Sequence, residues 1–403
     1  MTSAQQGPAG DPMHVGVIGA GAMGAGIAQV AAIHGHAVLL VDAIPAALAR
    51  ARKAHESAMA RDVEKGRRIQ ADADAVLSRI SYVDGAAADG LAALAPCGFV
   101  IEAIVEQLAA KQALFRSLEA VVSQATILAS NTSSLSIAAL GGSCQHAGRV
   151  IGVHFFNPAP VMPLVEIIPA ISTSSDVTSA SVALAHSWGK TTVIAKDTPG
   201  FLVNRIARPF YGESLRMLEE GLADVATIDW ALTTLGGFRM GPFALMDLIG
   251  NDVNFAVSRS VYESTFHDPR YRPSVTQQRY VEAGWLGQKS MRGYYRYGEG
   301  ASAATPVTDA VLGQQIVDRV LAMLVNEAVA ATEMQLATTA DIETAMTKGV
   351  NYPRGLLAWG DAIGAAAVLR EIERLQHEYS DPRYRPAPRL RRIAAAGGSL
   401  LND

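Results

Sequence analysis

Between His14 and Asp42 the chain reads HVGVIGAGAMGAGIAQVAAIHGHAVLLVD, a stretch that fits a strand, a tight turn, a helix and a second strand. An apolar run ends at Gly19, glycines recur at 21 and 24, an alanine-rich segment follows, and Gly35 turns the chain into a run closing on Asp42. Gly19 permits the tight turn, Gly21 lets a ligand approach the backbone, and Gly24 lets the helix close on the strand. The free amides of the first helical turn and its positive dipole end then face whatever lies over Gly19, Ala20, Gly21, Ala22, Met23 and Gly24, which suits a pyrophosphate. Asp42 can accept from both ribose hydroxyls and repel a 2′-phosphate, and Ala43, Ile44 and Pro45 supply no arginine to reverse that preference. NAD is therefore expected rather than NADP. The plain alternative is a glycine-rich turn in an ordinary βαβ unit.

The strands continue. Pro45 to Arg68 reads as a helix with one charged, solvated face, followed by a turn-rich patch near Asp84 to Gly90. Phe99 to Glu106 reads as a buried strand with its exit, Leu108 to Val122 as a helix, and Thr126 to Ser130 as the next strand. That strand delivers Asn131-Thr132-Ser133-Ser134 to the carboxyl edge of the sheet, where open α/β sheets bind ligands. Locally the quartet reads equally as a helix cap or as ligand contacts, although a cap needs one such side chain and not four. Then comes VIGVHFFNPAPVMPLVEII, from Val150 to Ile168: two apolar strands around a bent connection, with a lone His154 in the first and a lone Glu166 in the second. If the strands lie side by side, the carboxylate can hold one imidazole nitrogen and leave the other to move a proton. A hydrogen-bonded core histidine and an edge-strand charge is the blander reading. A helix from Asp176 to Trp188 and a strand from Thr191 to Ala195 complete a doubly wound, Rossmann-type α/β domain over 12–196.

Composition narrows the setting. The 403 residues are 49% hydrophobic with net charge −4, enough for two or three domains with real cores and no electrostatic reason for nucleic acid or an anionic membrane as partner. Two cysteines make no disulfide framework, no apolar run reaches membrane-spanning length, and no metal is expected. Residues 1–11 lack a signal peptide's basic start and apolar core, so they read as a disordered tail of a cytoplasmic protein.

Lys196 to Gly200 (KDTPG) marks a boundary beyond which helical periodicity takes over. Phe201 to Gly221 reads as one long helix with Asn204 in its first turn, either a helix-start polar residue or a substrate contact. The helical part repeats itself at an offset of 114: Leu202-Val203-Asn204-Arg205 falls on Ile316-Val317-Asp318-Arg319, Glu213 on Glu327, Gly241 on Gly355 and Asp247 on Asp361. Asp268-Pro-Arg-Tyr-Arg-Pro273 recurs as Asp381-Pro-Arg-Tyr-Arg-Pro386, one position out of register. Two all-α modules are expected, at 197–298 and 306–403, joined by a linker at 299–305.

Five stretches in this order resemble the L-3-hydroxyacyl-CoA dehydrogenase family: VIGAGAMGAGIA, ASNTSSLSI, HFFNPAPVMPLVE, DTPGFLVNR and GPFALMDLIG. The tandem helical module, with NYPRGLLAWGD from Asn351, is similar to the phenylacetate-degradation subgroup that oxidises 3-hydroxyadipyl-CoA, although this chain is shorter and its linker brief. The resemblance implies His154 as catalytic base, Glu166 as its partner, and Ser133 and Asn204 on the substrate's oxygens. It assigns Glu106, Lys111, Asn131, Asn157 and Lys289 to the dinucleotide and, more loosely, Ser57 and Lys65 to coenzyme A. Single-module members pair through the helical domain, so a second copy could cover that face within one chain, giving a monomer where a homodimer is the other expectation. A dehydrogenase of a free hydroxy acid such as L-gulonate is the alternative activity, and a non-enzymatic nucleotide-binding protein the remote one.

Overall fold

The computed structural model describes residues 13–87, 89–301 and 304–402, so the expected tail at 1–11 lies outside the described residues. The chain divides between Asp197 and Thr198 into two compact units.

The first unit is an eight-stranded sheet in the order β3-β2-β1-β4-β5-β6-β7-β8. Its strands are β1 (His14–Ile18), β2 (Ala37–Asp42), β3 (Ile80–Asp84), β4 (Phe99–Glu102), β5 (Ile127–Ser130), β6 (Val150–Phe155), β7 (Leu164–Pro169) and β8 (Thr191–Ile194). The order reverses at β1, which pairs in parallel with β2 on one side and β4 on the other, opening a crevice at the carboxyl ends of β1 and β4. β7 is the antiparallel exception, pairing with β6 through the bent connection. Helices α1 (Ala22–Ile33), α2 (Pro45–Glu64), α3 (Gln70–Ser78), α4 (Leu108–Glu119), α5 (Ile137–Gly141) and α6 (Ser175–Ser187) link the strands. Val15, Val17, Leu40, Ile101 and Ile151 are buried in one core with Ile27 and Ala28 of α1. The sequence reading had no α3 and no β3. Edge strand β3 carries ISYVD, whose residues after Ile80 are half-buried or exposed, so its apolar signal is weak.

The second unit is helical: α7 (Val203–Ile206), α8 (Arg208–Glu219), α9 (Val225–Trp230), α10 (Pro242–Ile249), α11 (Asn251–Ser264), α12 (Val275–Glu282), α13 (Ala310–Glu333), α14 (Thr339–Gly349), α15 (Leu356–Ile363), α16 (Ala365–Tyr379) and α17 (Pro388–Ala396). The single helix expected from Phe201 to Gly221 is two, separated at Ala207 before Pro209 in the first turn of α8, where the missing amide costs nothing. Residues 198–403 form one compact unit. Within it α13 buries Val320, Leu321, Leu324, Val325, Ala328 and Val329.

Positions 114 apart hold matching contacts. Asp229 accepts from the amides of Phe243 and Ala244, and Glu343 from those of Leu357 and Ala358. Gly250 and Gly364 share one positive-φ conformation at the α10–α11 and α15–α16 junctions. Arg205 Nε lies 3.2 Å from Glu327, and Arg319 Nε lies 2.9 Å from Glu213. One position out of that register, the Tyr271 hydroxyl donates to Glu327, and that of Tyr384 donates to Glu213. Among the described residues no helix is long and apolar enough to cross a membrane.

Candidate active site

The crevice at the carboxyl ends of β1 and β4 is shaped by three glycines with distinct constraints. Gly19 has φ +100°, and a Cβ there would lie 2.4 Å from the Ala103 carbonyl oxygen. A Cβ on Gly24 would lie 1.8 Å from the Gly19 carbonyl oxygen, so only glycine lets α1 approach. A Cβ on Gly21 would meet nothing within 4 Å: this position faces open space, and Gly21 caps α1 with no side chain of its own. An open face over unshared helix-start amides fits a pyrophosphate. Ala22 is exposed and Met23 half-buried beside it, whereas Ala20 is buried. Asp42 holds the turn: Oδ2 accepts from the Ala20 amide at 2.6 Å and Oδ1 from that of Ile44 at 2.8 Å. A carboxylate has about four acceptor sites, so capacity remains for ribose hydroxyls. The residues present fit NAD.

Behind the crevice lies an ionic cluster, buried at Glu102 and Lys111, that sequence reasoning saw only in part. Lys111 Nζ sits 2.6 Å from Glu102 and 3.1 Å from Glu106 with its side chain 1% exposed. Its ammonium bridges the two carboxylates. Glu106 Oε1 accepts from the Thr132 hydroxyl at 2.6 Å, the Ser133 amide at 3.0 Å and the Ser134 hydroxyl at 3.0 Å. Burial works to raise the Glu106 carboxyl, but Lys111 and these donors outweigh it and hold it below the usual carboxylate range. Glu102, fully buried, also accepts from the Ser130 hydroxyl and the Ile104 amide. The missed signal was available, because a charge in the four-residue strand FVIE is as anomalous as Glu166 in its own strand.

The polar quartet falls just short of the helix cap. Thr132 Oγ1 accepts from the Leu135 amide, while Ser136, just beyond, caps α5. Asp197 closes the same junction by accepting from the Ile137 and Ala138 amides. Ser133 is left half-exposed, its hydroxyl 3.5 Å from Glu106. Asn131 Oδ1 accepts from the Phe155 amide at 2.8 Å, fixing the end of β6 one residue past His154.

His154 and Glu166 are register partners across β6 and β7. His154 Nδ1 lies 2.6 Å from Glu166 Oε2, with both residues buried. A carboxylate oxygen accepts, so Nδ1 carries the proton and Nε2 is the basic nitrogen. The Phe156 ring packs on the imidazole, centroids 4.7 Å apart. Beyond it Asn157, exposed and followed by a cis peptide bond to Pro158, opens a loop that Lys190 clasps from β8's start, donating to the carbonyls of Ala159 and Met162.

The remaining candidates lie on other elements. Ser57 is half-buried on α2, and Lys65 is exposed at its C-terminus. In the helical unit, Asn204 is half-buried in α7, and its carbonyl accepts from Arg208 Nε. Lys289 pairs with Asp252 at 2.6 Å on the surface.

The NAD-binding domain model of 3-hydroxyacyl-CoA dehydrogenases matches residues 14–198, and the C-terminal domain model matches twice, at 200–297 and 316–399. The chain is 38% identical to the 3-hydroxyadipyl-CoA dehydrogenase of Escherichia coli K12, over 94% of this chain and 97% of that protein. It is 40% identical to the 3-hydroxybutyryl-CoA dehydrogenase of Bradyrhizobium diazoefficiens, over 70% of this chain and 94% of that one. The crystal structure of a 3-hydroxybutyryl-CoA dehydrogenase from Escherichia coli K12 superposes with a TM-score of 0.90 at 36% identity, over 96% of this chain and 99% of that one. With the dinucleotide crevice and the buried histidine–glutamate pair in place, the chain belongs to the family of NAD-dependent 3-hydroxyacyl-CoA dehydrogenases.

Proposed function

We propose that this dehydrogenase acts on (S)-3-hydroxyacyl-CoA esters, 3-hydroxybutyryl-CoA or 3-hydroxyadipyl-CoA, with His154 as general base. The observation carrying this reading is the 2.6 Å contact from His154 Nδ1 to Glu166. Nε2 of His154 takes the proton of the 3-hydroxyl as the carbinol carbon is oxidised. NAD, when bound, accepts the hydride from that carbon. Glu166 fixes the tautomer and stabilises the imidazolium that forms. Ser133 and Asn204 hold the substrate's oxygens, and Ser57 and Lys65 contact coenzyme A. The open face at Gly21 and the carboxylate of Asp42 take pyrophosphate and ribose; Glu106, Lys111, Asn131, Asn157 and Lys289 complete the dinucleotide contacts. A cytoplasmic setting suits its two free cysteines.

The test is NADH oxidation with acetoacetyl-CoA and 3-oxoadipyl-CoA. Turnover is expected, and His154→Ala should lower it on the order of a hundredfold while NADH still binds. Gulonate oxidation without acyl-CoA reduction, or a His154→Ala enzyme of near-normal rate, would reject the reading.

We also infer a monomer. Arg205–Glu327 with Arg319–Glu213, and Arg272–Asp381 with Arg385–Asp268, are reciprocal contacts of the kind a twofold dimer interface makes, here satisfied within one chain. Light scattering should give a mass near 42.4 kDa. A stable dimer at micromolar concentration would overturn this.

A further inference from the structure

Lys190, at the turn from α6 into β8, is a buried cation that none of the roles above uses. Its ammonium donates to the Ala159 carbonyl at 2.6 Å and the Met162 carbonyl at 2.9 Å, and it pairs with no carboxylate among the described residues. A buried ammonium held by neutral carbonyls alone is costly, and burial accordingly lowers its pKa from the ordinary 10.5. A methionine would fill similar space without that cost, so packing alone does not account for the charge. What the lysine holds is the connection between the two strands of the site. Residues 156–163 run from β6, which carries His154, to β7, which carries Glu166. Three of these eight residues, Pro158, Pro160 and Pro163, have no amide to donate, so the loop cannot satisfy its carbonyls from within. The Val161 and Met162 amides both donate to the Pro158 carbonyl, while the carbonyls of Ala159, Met162 and Pro163 take their donors from Lys190 and the Thr191 amide. On its other side the loop leans on α1: a Cβ on Gly26 would lie 3.1 Å from Pro160 and 3.2 Å from Ala159. At its start the Phe156 ring lies against the His154 imidazole.

We propose that Lys190 is a positioning residue for the base: by fixing this loop it keeps Phe156 against His154, and the ring in turn keeps the imidazole in line with Glu166. The proposal rests on the reading of His154 as general base and adds to it the group that holds the base in place. Lys190 itself transfers no proton and acts through the loop. Its effect is one of placement, because a reacting group displaced by about 1 Å loses on the order of a hundredfold in rate.

The experiment is a double-mutant cycle on kcat, followed by NADH oxidation with acetoacetyl-CoA, in Lys190→Met, Phe156→Ala and the two combined. Thermal melting sets an assay temperature at which each variant is folded. Each single variant should lower kcat about tenfold or more, and the combination no further than the more damaging single, because both act at one contact. A lysine that only stabilises the fold would lower Tm and leave kcat of the folded enzyme at the wild-type value. A lysine acting independently of the ring would give a combined loss equal to the product of the two. Either result overturns the proposal. If Lys190→Met does not fold, Lys190→Gln takes its place in the cycle, since it is uncharged and one bond shorter and loosens the same two carbonyl contacts more mildly. A His154→Ala enzyme of near-normal rate rejects the reading of the base instead, whatever the cycle gives.

Discussion

His154 and Glu166 lie twelve residues apart in sequence and directly opposite each other in the sheet, because the connection between β6 and β7 returns the chain in the one antiparallel pairing of the eight strands. The same register that buries Val153 and Ile167 in the core therefore fixes the distance from carboxylate to imidazole. Glu166→Gln keeps the shape and removes the charge that favours the imidazolium. We expect kcat to fall on the order of a hundredfold with little change in KM for NAD, measured by steady-state kinetics. Equal loss in kcat and in NADH affinity would mean that Glu166 supports the fold of the crevice and not the base.

The glycine turn separates a binding effect from a folding effect. Gly24→Ala drives a methyl into the Gly19 carbonyl, and backbone must move to admit it. It should destabilise the protein by about 1–3 kcal/mol, a drop of several degrees in Tm. Gly21→Ala places its methyl in open space and should leave Tm within about a degree. It should nonetheless weaken NADH binding about tenfold or more, because the methyl occupies the pyrophosphate's approach. Fluorescence titration and calorimetry on the two variants read the two effects independently.

That contrast shows what was legible beforehand. The roles of Gly19, Gly21 and Gly24 follow from spacing alone, since the turn is local and each glycine answers one steric demand. The pairing of His154 with Glu166 was legible because an isolated charge in an apolar strand needs a partner, and the bent connection offered one. Lys111 was not, because an exposed and a buried lysine look alike in a helix: its fate is decided by Glu102, brought beside it from β4. The reciprocal Arg205–Glu327 and Arg319–Glu213 pairs were visible as repeated residues but not as contacts, since an offset says what recurs and not what it touches.

Lys111 neutralises the buried Glu102 and the exposed Glu106 at once, so its removal exposes the cost of burying Glu102. Lys111→Met leaves Glu102 and Glu106 facing each other without a cation, and should destabilise the protein by about 3–5 kcal/mol in urea unfolding. Adding Glu102→Gln to that variant removes one of the two uncompensated charges and should restore part of the loss. No recovery would mean that packing of the lysine stem, not charge, carries the effect.

His55 gives a pH dependence whose sign can be worked out. It is 1% exposed in α2, with Nε2 2.8 Å from the Ala25 carbonyl of α1 and Nδ1 2.7 Å from the Tyr82 hydroxyl. The carbonyl accepts, so Nε2 carries the proton and Nδ1 accepts from the tyrosine. Burial holds its pKa below the ordinary 6.5, against opposing pulls from the Ala25 carbonyl and Glu56. The unfolded chain therefore binds this proton more readily. His55's contribution is whole above pH 6.5 and is lost as pH falls from there through the folded value. Asp229 acts oppositely: burial pushes it up to about 6 against three hydrogen-bond donors, so its contribution is lost as pH rises from 3.8 through that value. The two overlap, and total stability alone cannot isolate either. Comparing wild type with His55→Gln between pH 7.5 and 5 cancels Asp229, and wild type should lose more stability on acidification, by up to about 1.4 kcal/mol per pH unit. Parallel curves would show that His55 does not titrate in that range.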